Sequence, residues 1–288
     1  MESLHSDIDA RIAQLWVYPV KSCAGIDVSE AVLTETGLDL DRAWMVVDEH
    51  GEFVSQRDHP RMALIQPKLR HSDIMLRAPG MLALHLSVNE VEEPVRARVW
   101  DDVVQAYDMG NVAAQWFSDF LGAKLRLVRF DPEHRRLAEM KWTHGREVTT
   151  QFADGFPLLV TSEASHALLS EKLQAAGQGA VDARRMRSNI VLSGVQAHDE
   201  DRLASIVVDT PEGPVELKPC KPCARCQIPD VDPDTAQAGG AVNAALRGYR
   251  ADARVGGALT FGMNAYVADG AERTLRVGQA VRGRLAFD

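Results

Sequence analysis

Several familiar signatures are missing from this chain, and each absence removes a class of protein. No stretch approaches the roughly 18 apolar residues of a membrane-spanning helix. The opening MESLHSDIDARIAQLW carries early acidic residues and lacks the apolar segment and small-residue cleavage site of a secretory signal, so the expected location is a reducing cytoplasm. The glycine-rich loops GxGxxG and GxxxxGK[ST] do not occur, nor does GxSxG, which leaves nucleotide-fold and serine-hydrolase readings without support. The nine histidines form no HxxxH pattern, and His5, His50, His59 and His71 stand in polar surroundings that predict exposure. Positive charge is in deficit. Thirty-two Lys plus Arg against 41 Asp plus Glu give a net charge of −9, which argues against a partner that is nucleic acid or an anionic membrane.

What is present is a globular chain of 288 residues, 45% hydrophobic and 25% charged, long enough for one large domain or two intimate ones. Residues 10–20, 42–48, 81–88 and 95–100 are β-branched, aromatic or alternating runs of strand length, separated by turn signals at 48–52, 77–81 and 89–94. A helix follows, capped by Asp108 or Asn111, burying Val112, Trp116, Phe117, Phe120 and Leu121, and stopped by Gly122. Residues 124–130 return to a strand pattern. The polar stretch 131–149 reads as a surface connection, which predicts a division into 8–130 and 131–288. An apolar strand from residue 156 then feeds a helix with Thr161 or Ser162 as its cap, Leu168, Leu169 and Leu173 inward, and Gly177 at its end. Further strands are expected at 189–194, 203–209, 215–218 and in the last 30 or so residues. The fold class is α+β and β-rich, with two or three helices and no alternating βαβ rhythm.

Only four cysteines occur, and three of them, Cys220, Cys223 and Cys226, fall within seven residues. The spacing resembles the start of an iron–sulfur motif, but Asp230 stands where the fourth cysteine belongs. Structural zinc would have to recruit histidine. Reduced, partly buried thiols in a loop are a third possibility. Lys218, Lys221 and Arg225 surround the thiols with positive charge, which favours the nucleophilic, metal-binding thiolate. One thiolate suffices when an organic chelator already holds the metal.

Two other segments suit such a chelator. YPVKSCAGI places Lys21 and Ser22 directly after a strand with Gly25 for a tight turn, and Arg42 opens the next strand, together a plausible phosphate cradle. DARRMRSNIV sets Arg184, Arg185 and Arg187 before a buried strand, either as a solvated, salt-bridged loop or as an anion site; Asn189 offers a donor and an acceptor to the edge of a heterocycle. Asp154 gains a role in proton handling if the fold brings it beside Cys226.

YPVKSCAGI, LDRAWMVVD, FADGFPLLVTSEAS, RMRSNIVLSG, CARCQIPDVDPDT and TFGMN occur in the order found in the MOSC-domain family. The chain resembles the mitochondrial amidoxime reducing components and their bacterial relatives from about residue 10 to 285. The resemblance implies an N-terminal MOSC-type β-barrel domain packed on a C-terminal β-barrel MOSC domain. It further implies a molybdenum–molybdopterin cofactor in mononucleotide form, with Cys226 as metal ligand and Asp154 as the catalytic acidic residue near the metal. Lys21, Ser22 and Arg42 match phosphate contacts, and Arg187 and Asn189 match a pterin-contact motif in which Ser188 replaces a proline. Arg225 and Asn264 complete the implied cofactor set. The implied chemistry is reduction of N-hydroxylated compounds, with electrons from a separate ferredoxin- or flavin-type protein and with no nucleic acid or membrane as partner. The alternative is a cofactor carrier or sulfur-handling module without turnover.

Overall fold

The computed structural model describes residues 6–70 and 72–286; His5 and His71 lie outside the described residues. The protein is strand-rich, 42% strand and 19% helix, and combines a closed seven-stranded barrel with a half-barrel.

The barrel runs in the order Leu158–Ser162, Ile190–Ser193, Ile8–Val17, Ala280–Leu285, Leu203–Thr210, Gly213–Ala224 and Ala258–Asp269, and the last pairs back onto the first. Both chain ends therefore contribute strands to one barrel. Ile8–Val17 shows how sequence sets register. Ala10 and Ile12 point inward, a bulge between Ile12 and Gln14 shifts the alternation, and Leu15 and Val17 then point inward instead. These side chains join Leu158, Val160, Ile190, Ile206, Leu217 and others in one apolar cluster. Each fully buried aliphatic side chain there contributes about 1.5–3 kcal/mol.

The half-barrel is the four-stranded sheet Trp44–Val47, Arg126–Phe130, Asp102–Asp108 and Pro94–Val99. A three-stranded sheet of Gln66–Leu69, Asp73–Arg77 and Leu84–Ser87 accompanies it. The helix Gly110–Leu121 buries Ala113, Trp116, Phe117 and Phe120 against a core that includes Trp44, Met62, Ile74 and Leu127. It ends where Gly122 takes φ +72.

Several sequence expectations are corrected. Val112 is 75% exposed, because the buried stripe runs through residues 113, 116, 117 and 120 and leaves position 112 on the outer face. In the helix Glu163–Ala175, Ser162 is the cap; Ser165, His166, Leu169 and Leu173 face inward, while Leu168 is only half-buried. His50 is exposed, but His59 is half-buried. Among the described residues there are four α-helices, Ala183–Met186 and Ala241–Arg247 being the ones not foreseen. Among the described residues there is also a βαβ unit: Leu158–Ser162 and Ile190–Ser193 are parallel and flank the helix Glu163–Ala175. The stretch 131–149 is mostly exposed, as a surface connection should be, but it is not structureless. It pairs Arg136–Leu137 with Thr149–Thr150 and buries Arg136, Ala138, Thr143 and Val148.

Of the three clustered thiols, Cys226 alone sits in a loop, two residues past the end of a strand. Cys220 and Cys223 belong to the long strand Gly213–Ala224, which tolerates Pro219 and Pro222 because its pairing with Ala258–Asp269 shifts register beside each.

Candidate functional site

A cleft lies among the loops around residues 21–22, 42, 55–57, 153–156 and 186–189 and the ends of the strands Gly213–Ala224 and Leu158–Ser162. The fold brings Lys21, Ser22, Arg42, Asp154 and Arg187 to its wall, and with them Asn189, Arg225, Cys226 and Asn264. Five basic side chains and one acidic one line it, a local excess of positive charge in a chain of net charge −9.

Lys21 is nearly buried. Its ammonium donates to the Phe152 carbonyl at 2.8 Å and to Asp154 Oδ1 at 2.5 Å. Burial works to raise the Asp154 carboxyl, but the Lys21 charge and hydrogen bond, then the Trp100 indole and the Arg57 charge, outweigh it and hold Asp154 well below the usual carboxylate range. Burial pulls the Lys21 ammonium down from the ordinary lysine value, with Asp154 pulling the other way. We take the pair as ionised, because the Asp154 side chain is 59% exposed and keeps water on its open side. Asp154 thus stands as a carboxylate near neutral pH, a hydrogen-bond acceptor and not a stored proton.

Asp154 is held from two further directions. Trp100 Nε1 donates to its Oδ1 at 3.1 Å. The buried Arg136 guanidinium donates to the carbonyls of Gln151, Ala153 and Asp154 and is itself paired with Asp102 at 2.7 Å. Trp100 stands in the turn between the strands Pro94–Val99 and Asp102–Asp108 and Asp102 opens the second of them, so the half-barrel fixes the barrel's acidic loop.

Tyr18 organises the opposite part of the cleft. It is fully buried, and the guanidinium carbons of Arg42 and Arg187 lie 4.5 and 4.3 Å from its ring centre. Gly25 is needed less for a tight turn than for space: a Cβ there would stand 2.5 Å from the Tyr18 ring. Arg42 is paired with Asp41 and donates to Asn189 Oδ1 and the Arg187 carbonyl, both at 3.0 Å. Arg187 donates to the Cys23 carbonyl at 2.7 Å; burial and the neighbouring Arg42 charge bring its pKa down to about 10. Its Nη2 is buried without a partner.

Asn189 is 1% exposed and works hard inside the fold. Its Oδ1 also accepts from the Leu159 N–H at 3.1 Å, and its Nδ2 donates to the Trp16 carbonyl at 3.1 Å. One N–H of the amide is left for a ligand, so its contact with a heterocycle is narrower than its donor–acceptor chemistry suggests.

The three clustered thiols differ. Cys220 packs with Phe156 and Tyr266, and burial pushes its thiol up to about 12. Cys223 and Cys226 both line the cleft. Arg225 Nη1 donates to Cys223 Sγ at 3.0 Å and Nη2 to the Met186 carbonyl at 3.0 Å, while its Nε is buried without a partner. Cys226 Sγ accepts the Ile228 N–H at 3.5 Å, and its carbonyl is held by Asn243. Asp230, at the missing fourth cysteine position, caps the helix Ala241–Arg247 through the N–H groups of Val242 and Asn243. Among the described residues no group of three or more His, Cys, Asp or Glu side chains is arranged to hold a metal ion. Asn264 donates to the Lys221 carbonyl at 3.2 Å.

Of the arginine run, Arg187 alone reaches this cleft; Arg184 is paired with Asp182 and Asp234, and Arg185 with Asp232. Sequence reasoning missed Tyr18, Arg57, Trp100 and Arg136. By sequence Trp100 ends a strand run, yet it occupies a two-residue hairpin turn at φ +57, where glycine or asparagine is the usual signal.

Residues 9–124 match the model of the MOSC N-terminal beta barrel domain, and residues 147–282 that of the MOSC domain. The chain is 37% identical over 233 residues to mitochondrial amidoxime-reducing component 1 of Mus musculus, covering 78% of this chain and 66% of that protein. With the Homo sapiens component 1 the identity is 35% over 233 residues, with 78% and 67% covered. Molybdenum cofactor sulfurase of Homo sapiens is 29% identical over 245 residues, 78% of this chain and 27% of that protein. The chain spans about two thirds of the length of the amidoxime-reducing components it matches.

Proposed function

The chain belongs to the family that joins a MOSC N-terminal beta barrel domain to a MOSC domain, and from that premise we propose that it is a molybdenum-cofactor-dependent reductase of N-hydroxylated compounds. The observation that carries this reading is the meeting, in one basic cleft, of the Cys226 thiol with Lys21, Ser22, Arg42 and Arg187.

The residues fit a molybdenum–molybdopterin group in mononucleotide form. Arg187 Nη2 and Arg225 Nε are buried donors without partners, which is costly unless a ligand supplies acceptors. The excess of cations suits a phosphate, and a soft thiolate suits molybdenum. Cys226 would be the metal ligand, Lys21, Ser22 and Arg42 would hold the phosphate, and Arg187, Asn189, Arg225 and Asn264 would flank the pterin. When bound, the group would supply the two-electron chemistry that converts N–OH to N–H plus water. Two protons enter that balance, and the two electrons come from a separate redox protein. The chain's own part is to orient and to manage protons. Asp154, ionised and clamped by Lys21, Trp100 and Arg136, would order a water and pass its proton toward the leaving hydroxyl. We also propose the division into 8–130 and 131–288 as two domains, with the cleft between loops of both.

A second reading, a cofactor carrier or sulfur-handling module without turnover, draws on Cys223, a second thiol in the same cleft held at 3.0 Å by Arg225. Elemental and pterin analysis of purified protein, followed by benzamidoxime reduction with a chemical electron donor, separates the two. The reductase predicts about one molybdenum and one pterin per chain and turnover lost in Cys226→Ala. Metal-replete protein inert toward every N-hydroxy compound and reductant selects the carrier, and undiminished turnover by Cys226→Ala overturns the ligand assignment. Among the described residues no helix is long and apolar enough to cross a membrane.

A further inference from the structure

Arg57 is the one cation on the cleft wall whose side chain makes no hydrogen bond or ion pair with a described residue; its backbone N–H donates to Ser55 Oγ. Lys21 is occupied by Asp154, Arg42 by Asp41, Arg187 by the Cys23 carbonyl and Arg225 by Cys223 and the Met186 carbonyl. Yet Arg57 is not loose. Its guanidinium carbon lies 4.6 Å from the Trp100 ring centre and 5.5 Å from that of Phe53, and the two rings pack 5.1 Å apart. Stacking holds a guanidinium by its faces and leaves the N–H groups at its edge free to grip a carboxylate with two parallel bonds.

The platform is itself built at a cost. Trp100 is 44% exposed and stands in the left-handed region, which a bulky residue rarely adopts, and this conformation puts its indole N–H on Asp154. The Arg57–Trp100 pair therefore stands beside the acidic residue at the cleft, with a preorganised guanidinium edge whose charge acts on Asp154 but whose N–H groups bond no described residue.

We propose that Arg57, seated on Trp100, is a specificity-determining subsite that binds a carboxylate carried by the substrate. The inference rests on the reductase reading and adds a substrate class to it: planar N-hydroxylated compounds that also carry an acidic group. The competing anion is the cofactor phosphate.

The test compares benzamidoxime with 4-carboxybenzamidoxime in cofactor-loaded wild-type protein and in Arg57→Gln, Arg57→Lys and Trp100→Phe, with a chemical electron donor. A charge-assisted contact at a partly open site lowers KM for the carboxylated compound by about tenfold in the wild type. Arg57→Gln brings the ratio of the two KM values to near one, Arg57→Lys keeps part of the preference, and Trp100→Phe keeps more of it than Arg57→Gln. A wild type indifferent to the carboxylate, or an unchanged ratio in Arg57→Gln, overturns the proposal. So does loss of molybdenum and pterin from Arg57→Gln, which makes Arg57 a cofactor anchor. Should the wild type reduce neither compound, the reductase reading fails while the subsite is still decided by tryptophan-fluorescence titration. There 4-carboxybenzamidoxime binds the wild type about tenfold more tightly than Arg57→Gln if the subsite exists, and equally if it does not.

Discussion

Lys21 and Asp154, 133 positions apart in the chain, meet in a 2.5 Å ion pair in the cleft. The pair ties the loop after the first barrel strand to the loop before the strand Leu158–Ser162. It also sets the charge state of the cleft's one acidic wall residue. A carboxyl whose folded pKa is depressed contributes stability above its unfolded value near 3.8 and loses it as pH falls through the lower folded value. Lys21→Met removes the main depressing charge, so the Asp154 midpoint, followed by carboxyl-carbon NMR, moves upward into the ordinary carboxylate range. A midpoint unmoved in Lys21→Met contradicts the pairing. Asp154→Asn leaves a nearly buried ammonium without its counter-charge. It costs about 1–2 kcal/mol in urea unfolding, less than a fully buried pair because the carboxylate side is open to water.

Acid weakens the fold through histidine. His166 is buried, with Nε2 3.0 Å from Thr161 Oγ1 and Nδ1 lacking a partner, and burial brings its pKa down to about 4. His198 is likewise brought down to about 4 by burial. A lowered folded pKa means that the unfolded chain binds protons first, so stability is full above about 6.5 and falls as pH drops toward 4. The His166 contribution approaches about 3 kcal/mol over that window. Urea unfolding of the wild type between pH 7 and 4.5 shows the decline, and His166→Gln flattens it.

Gly25→Ala tests the floor of the arginine pair. The added methyl would stand 2.5 Å from the Tyr18 ring, which is fully buried and carries Arg42 and Arg187. Overpacking of this kind costs about 1–3 kcal/mol. Thermal unfolding should show a lowered midpoint, with Gly179→Ala, where a Cβ meets nothing within 4 Å, unchanged beside it.

The thiols separate under alkylation. Burial pushes Cys23 and Cys220 up to about 12, so neither offers appreciable thiolate at pH 8. Iodoacetamide labelling of native protein, mapped by mass spectrometry, modifies the cleft residues Cys223 and Cys226 well before the other two. Early labelling of Cys220 contradicts its packing against Phe156 and Tyr266.

Much of the fold was legible because period and punctuation act locally. The helix from Gly110, its stop at Gly122 and the Ser162 cap all follow from residues within a few positions of one another. The hairpin turn at Trp100 and the bulges that admit Pro219 and Pro222 break local rules, and partners distant in sequence hold them in place. Arg136 illustrates the same limit. In a polar stretch it reads as a surface residue, yet it is buried because three carbonyls and Asp102 surround it.

The sequence by itself determined the strand-rich class, the family and the side chains able to form a cofactor site, since these depend on residue type and order along the chain. Only the tertiary structure decided which of three neighbouring cysteines face the cleft, and that one of three neighbouring arginines does. It also decided that Asp154 stands ionised against Lys21. Burial, direction and counter-charge are set by residues far away in sequence, and closing the barrel is what brings them within a few ångströms.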